Sequence, residues 1–484
     1  MPSFANTPID LGVLPMDIRI HMYEFADLQT ATKWDDTLLP WERVLIMASM
    51  IHDTETLELI YHQRPGGDEP WQHLSSYTAF TGNLKALKWS LKKNCPLTER
   101  ICACAAEGGH YEILQYAHEL GCPWDESTCV GAVKSGSLTI LQYALEHDCP
   151  CDEQACAFAA NDGHLDMVQY LFLQGCPWDA KTCANAALQG HLHILQYARE
   201  RHCPWDEETC YNAASKGFLD ILQWARIRNC PWDLLTCANA AAGGHLQTLI
   251  WARQHGCEWN EYTCAFAAEF GHFEVLKWCR ENGCQWDEET SAMAACSGNL
   301  DILTWCRSHN CPWNETVCSE AAKKGFLHIL QWAREHGCPW DESTCSKAAK
   351  GGHLELLQWA RQNGCPWNKH TCSSAAQGGF LPIIIWLHEQ GCPWDEDATF
   401  KAARGGYLQT LKWLRFNGCP WDQRTYYAAL GQGHLDIVQW LLDNQCPTNG
   451  DEDDFEYEKY YDRTTWSDED DEEDDYDAVD ENEE

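Results

Sequence analysis

A single cysteine sets the frame of this chain. It stands at Cys95, Cys122, Cys149, Cys176, Cys203, Cys230, Cys257, Cys284, Cys311, Cys338, Cys365, Cys392, Cys419 and Cys446, always 27 residues from the last, with no slip over thirteen steps. A fixed period of this size is the signature of a stacked solenoid, in which each unit packs on its neighbours and no central core is needed. The 484 residues therefore need not divide into several globular domains.

One unit shows the plan. In Cys338-Pro-Trp-Asp341, Pro339 stiffens the connection and Trp340 is a large packing anchor. Asp341 is placed to cap the first helix, a role that Asn260, Asn314 and Asn368 can also fill. That helix carries the small pair Ala348-Ala349. Gly352 supplies a left-handed turn, and a second helix follows with Leu354, Leu357 and Trp359 as its apolar residues. The second helix stops before Gly364. Equivalent positions hold Gly, or Asn94, Asp148, His202, Asn229, Asn310 and Gln445. Two stops per period leave room for two helices of about ten residues, too short to be stable alone. The expected fold is all-α, a helix-turn-helix solenoid of about fourteen regular repeats. The aromatic ladder from Trp89 and Tyr116 through Trp224 to Trp440 is expected in its core.

Three segments follow. Residues 1–45 are expected to form a helical cap, with Ile18, Met22 and Phe25 on one face of a helix opening at Leu14-Pro15. Residues 46–448 hold the array, beginning with a worn repeat. Residues 449–484 form an acidic tail, largely disordered by composition. Residues 451–484 alone contain twenty acidic and two basic residues, a net −18 of the chain's −39, which leaves −21 for the remainder. Phe455, Tyr457, Tyr460, Tyr461 and Trp466 are expected to cover the last helix.

The acidic balance argues against general nucleic-acid binding, which needs clustered Lys and Arg. No run reaches the roughly 18 apolar residues of a membrane span. Met1-Pro-Ser-Phe-Ala-Asn6 shows no secretory pattern, so an intracellular, cytoplasmic setting is expected, with the 29 cysteines as free thiols. Ten cysteines follow the marker by seven residues, as Cys345 follows Cys338. Structural zinc prefers two to four intervening residues, so no metal or other cofactor is expected. The residues after the turn glycine alternate between histidines such as His191 and His353 and aromatics such as Phe218 and Phe380. Catalysis does not tolerate that exchange, and neither an enzyme activity nor a small-molecule substrate is expected.

What varies inside the fixed frame is the candidate for recognition. The residue before the alanine pair reads Phe158, Asn185, Asn212, Asn239, Phe266, Met293, Glu320, Lys347, Ser374 and Lys401. Stacking would align these as a strip for a protein partner. Lys323, Lys324, Lys350 and Arg404 make its later part basic, where the acidic tail could shield it.

The segment Ala186-Ala-x-x-Gly-His-Leu-x-x-Leu-Gln196 resembles the ankyrin repeat, whose usual period is about 33. The Cys-Pro-Trp-Asp turn replaces the part where ankyrin repeats project β-hairpin fingers. The resemblance is to the short arrays of this type in giant viruses, oomycetes and algae. It implies a protein-binding scaffold, and it implies no binding through finger tips. Residues 12–45 resemble the start of an F-box, on Leu14, Pro15, Asp17 and Ile18, with Met22 on the same helix face. That resemblance implies a second reading, a substrate-recognition adaptor of a cullin-type ubiquitin ligase. A third reading is a thiol-rich metal or redox protein.

Overall fold

The computed structural model describes residues 74–448. The expectations for residues 1–45, for most of the worn repeat and for the tail lie outside these residues. Within them the chain is all-helical: 28 helices alternate as first and second members of each repeat, and there is no strand. The described residues fall into two bodies, 74–258 and 259–448. In each body, first helices pack on the first helices of adjacent repeats and on their own second helices.

The repeat at Cys338 shows how local chemistry makes the unit. Asp341 is extended, and its carboxylate accepts a hydrogen bond from the Ser343 backbone N–H at 3.1 Å, which caps the helix Glu342–Lys350. Thr344, Cys345, Ala348 and Ala349 are its buried face. The helix ends at Gly352, at φ +82°, where the His353 N–H donates back to the Ala348 carbonyl at 3.0 Å. The second helix, Leu354–Gln362, buries Leu356, Leu357 and Ala360 and stops at Gly364, at φ +88°. Each helix is nine residues long.

Two details differ from the sequence reading. Asn314 and Asn368 do cap their helices, but the side chain of Asn260 makes no capping bond. The aromatic ladder is also not core. Trp359 is half-buried, as are Trp224 and Trp332. The buried stripe of the second helix is narrow, and a residue next to Ala360 is turned about 100° from it. Trp359 therefore lies at the edge of the packed face.

Three kinds of contact join one repeat to the next. The Cys338 thiol donates to the Asn314 carbonyl at 3.3 Å, and the Cys365 thiol to the Asp341 carbonyl at 3.3 Å. The same bond recurs from Cys122 to Thr98 and from Cys230 to Asp206 in the first body. The marker cysteine is thus a small buried residue that also ties itself to the cap of the preceding repeat. The His353 ring lies over the preceding turn glycine, Gly325, and its Nε2 is 3.2 Å from the Lys323 carbonyl. Phe380 covers Gly352 in the same way without the hydrogen bond, which explains why histidine and aromatics exchange there. Last, Trp340 is held between two second helices. Arg334 stacks on it at 4.1 Å and donates to the Cys338 carbonyl, while Trp359 meets it edge-to-face at 6.1 Å. This arginine–tryptophan sandwich occupies the connection that carries the Cys-Pro-Trp-Asp turn.

Six non-glycine residues occupy the left-handed stop of the second helix, among them His202 at φ +62° and Gln445 at φ +59°. A side chain there costs about 1 kcal/mol that glycine avoids, less the extra freedom of glycine in the unfolded chain. His202→Gly is expected to stabilise the fold by about 0.5 kcal/mol, seen as a higher urea midpoint. An unchanged or lower midpoint would contradict this reading of the stop.

Candidate protein-binding face

The strip of variable residues lies where first helices meet, so its members are partly enclosed. In the first body Asn185 Nδ2 donates to the Ala157 carbonyl at 3.2 Å, and Asn212 Nδ2 to the Ala184 carbonyl at 3.3 Å. Asn239 turns back on its own helix, donating to the Leu235 carbonyl at 2.9 Å. Phe158 is half-buried beneath the Lys134 ammonium, 5.2 Å from its ring centroid. In the second body Phe266, Met293, Lys347 and Lys401 are half-buried, while Glu320 and Ser374 are buried at 9% exposure.

Two of these positions form an ion pair. Lys347 Nζ is 2.9 Å from Glu320 Oε1, and the glutamate side chain is only 12% exposed. Lys401 Nζ reaches Gln377 Oε1 at 3.4 Å. Each body therefore brings its strip residues together along neighbouring first helices, and there they serve partly as links between repeats. Lys323 and Lys324 are exposed beside them. The F-box-like residues Leu14, Pro15, Ile18 and Met22 lie outside the described residues.

Sequence reading missed two residues of this face. Tyr262 and Phe270, at 48% and 57% exposure, flank the half-buried Phe266 on and just beyond the helix Glu261–Glu269. The Tyr262 and Phe266 rings are 6.2 Å apart. The signal was present as aromatics at i, i+4 and i+8, which a comparison of one position per repeat does not register.

The thiols form a separate system. Cys318 faces Cys338, Cys345 faces Cys365, and Cys372 faces Cys392 across successive repeats. No disulfide joins any of the 29 cysteines, all of which lie among the described residues, and only Cys104, Cys151 and Cys296 are more than marginally accessible. Burial pushes the thiols of Cys156 and Cys419 up to about 12. Such groups stay protonated at neutral pH and are poor nucleophiles. Among the described residues no three or more His, Cys, Asp or Glu side chains converge as a metal site.

An open groove of about 500 Å³ lies against the second helices near the end of the array, lined by Leu381, Trp413, Phe416 and Trp440 with Gln409, Lys412, Arg415 and Asn444 at its polar edge. Its lining contains no carboxylate, imidazole or thiol. No helix among the described residues is long and apolar enough to cross a membrane.

No protein-family model matches the chain, and no curated protein matches it. Among solved structures, the crystal structure of the pentatricopeptide repeat protein PPR10 from maize is similar at 12% identity, over 92% of this chain and 92% of that one, with a TM-score of 0.33.

Proposed function

We propose that this chain is a non-enzymatic scaffold of the short ankyrin type that binds a protein along its first-helix face. The observation that carries the proposal is the contrast within each repeat. The turn glycine and the marker thiol recur at every step, and the capping residue and the tryptophan at most steps, while the residue before the alanine pair, half-exposed in most repeats, changes among Phe, Asn, Met, Glu, Ser and Lys. A frame held constant under a changing surface is what recognition by a repeat array requires. The net charge of −21 outside the tail favours protein over nucleic acid as the partner.

A second reading rests on Leu14-Pro15-x-Asp17-Ile18, the F-box-like start. Under it, the array would read substrates for a ubiquitin ligase. Affinity purification with the full chain, and with a chain lacking residues 1–45, separates the two. The scaffold reading expects the same protein partners with both. Cullin-ligase components recovered only with the full chain would replace it with the adaptor reading. The facing thiols support a third reading, a metal protein, and metal analysis decides it: zinc near zero in the purified chain ends it.

A further inference from the structure

The first-helix face is not uniform, and one part of the second body has a character of its own. Tyr262, Phe266 and Phe270 follow one side of the helix Glu261–Glu269 at i, i+4 and i+8. Eight residues of helix span about 12 Å, so the three aromatics, with the Tyr262 and Phe266 rings 6.2 Å apart and Phe270 at the C-cap, make a short row. The adjoining first helix, Glu288–Cys296, adds the half-exposed Met293. Isolated exposed apolar residues need no explanation, but a row of three aromatics beside a methionine does.

The charge on the two helices that carry the row has one sign. These two helices carry Glu261, Glu269, Glu288 and Glu289 and no lysine or arginine. Glu288 and Glu289 are exposed. The acidic zone ends at the next repeat, where the exposed pair Lys323-Lys324 lies close enough to Cys296 to act on its thiol together with Glu269.

We infer that the row Tyr262, Phe266 and Phe270, with Met293 and its rim of glutamates, docks a cationic amphipathic segment of another protein. The inference rests on reading the first-helix face as the partner surface, and it adds the chemistry of the partner. The apolar anchors of such a segment, at i, i+3 or i+4, and i+7, would lie on the aromatic row, and its lysines or arginines would meet the glutamates. The same charges disfavour other occupants. The tail, at −18, and a second copy of the chain, at −39, are both repelled.

The probe is a fluorescein-labelled 18-residue amphipathic helix of leucine, phenylalanine and lysine, with a twin in which glutamate replaces lysine. Binding to the full chain is followed by anisotropy at low and at physiological salt. The side chain of Phe270 is mostly exposed, so Phe270→Ala leaves the fold intact and tests the row directly. The cationic peptide is expected to bind about tenfold more weakly to Phe270→Ala and to the double variant Glu288→Lys, Glu289→Lys. Its affinity is expected to fall with salt, and the acidic twin is expected not to bind. Equal binding to the native chain and to Phe270→Ala would overturn the inference, and so would equal binding of the two peptides. A photo-reactive version of the cationic peptide keeps the two readings apart. Adducts on other first helices, without dependence on Phe270, would remove this site and leave the scaffold reading. Adducts confined to second helices or the tail would remove both.

Discussion

Raising the pH from about 8 to about 11 is expected to unfold the array. The thiols of Cys95 and Cys446 are pushed up to about 11, and those of Cys156 and Cys419 to about 12, with burial the main cause in each. An unfolded thiol titrates near 8.5. A group whose folded pKa is raised keeps its proton longer in the fold than in the unfolded chain. Its contribution is fully present below about 8.5 and is lost as the pH rises through the folded value. Each such thiol therefore weakens its own repeat by about 1.4 kcal/mol per pH unit in that window. Native stabilities are about 5–15 kcal/mol, so four such losses along one array exceed what local packing can absorb. The measurement is the far-ultraviolet circular dichroism melting midpoint against pH, with reductant present. A steep fall above about pH 9 is expected, and Cys419→Ala should reduce its slope. A midpoint that holds to about pH 11 would contradict the account of the thiols as buried neutral donors.

The second large effect separates two kinds of glycine. Gly352 and Gly364 share a left-handed conformation, at φ +82° and +88°. A Cβ on Gly364 would meet nothing within 4 Å, whereas one on Gly352 would stand 2.6 Å from the Phe380 ring. That ring cannot retreat, because its other edge faces Gly378, where a Cβ would lie 2.3 Å away. Gly364→Ala is expected to cost about 0.5–1 kcal/mol, the left-handed strain less the extra freedom of glycine in the unfolded chain. Gly352→Ala carries that cost and an overpacking cost of about 1–3 kcal/mol, or about 3 kcal/mol together. Urea denaturation of the two variants measures the difference. Equal losses would mean that the ring does not seal the turn.

The fold was legible because it depends on local signals that recur in every repeat. Asp341, Gly352 and Gly364 each specify a backbone conformation through their own chemistry, and neighbours in the sequence supply the bonding partners. The links between repeats were not legible. The bond from the Cys365 thiol to the Asp341 carbonyl spans 24 residues, and the contact of Trp340 with both Arg334 and Trp359 reaches second helices on either side of a repeat boundary. A ladder at constant spacing shows that a position is constrained without showing from which side. That is why the helix-two aromatics could be taken for core when they lie half-buried at its edge. The variable positions do fall on first helices, but sequence alone could not show that Glu320 and Lys347 would spend their charges on each other. Tyr262 and Phe270 were overlooked because their pattern runs along one helix instead of across repeats.

The central claim is that recognition belongs to the first-helix face, and site-specific photo-crosslinking in the source cell tests it most directly. A photo-reactive phenylalanine would replace Tyr262 or Met293 on first helices, and Glu335 or Gln362, both exposed, on second helices. The account predicts protein adducts from the first two positions and none from the other two. Adducts from Glu335 and Gln362 alone, or adducts to nucleic acid, would contradict it.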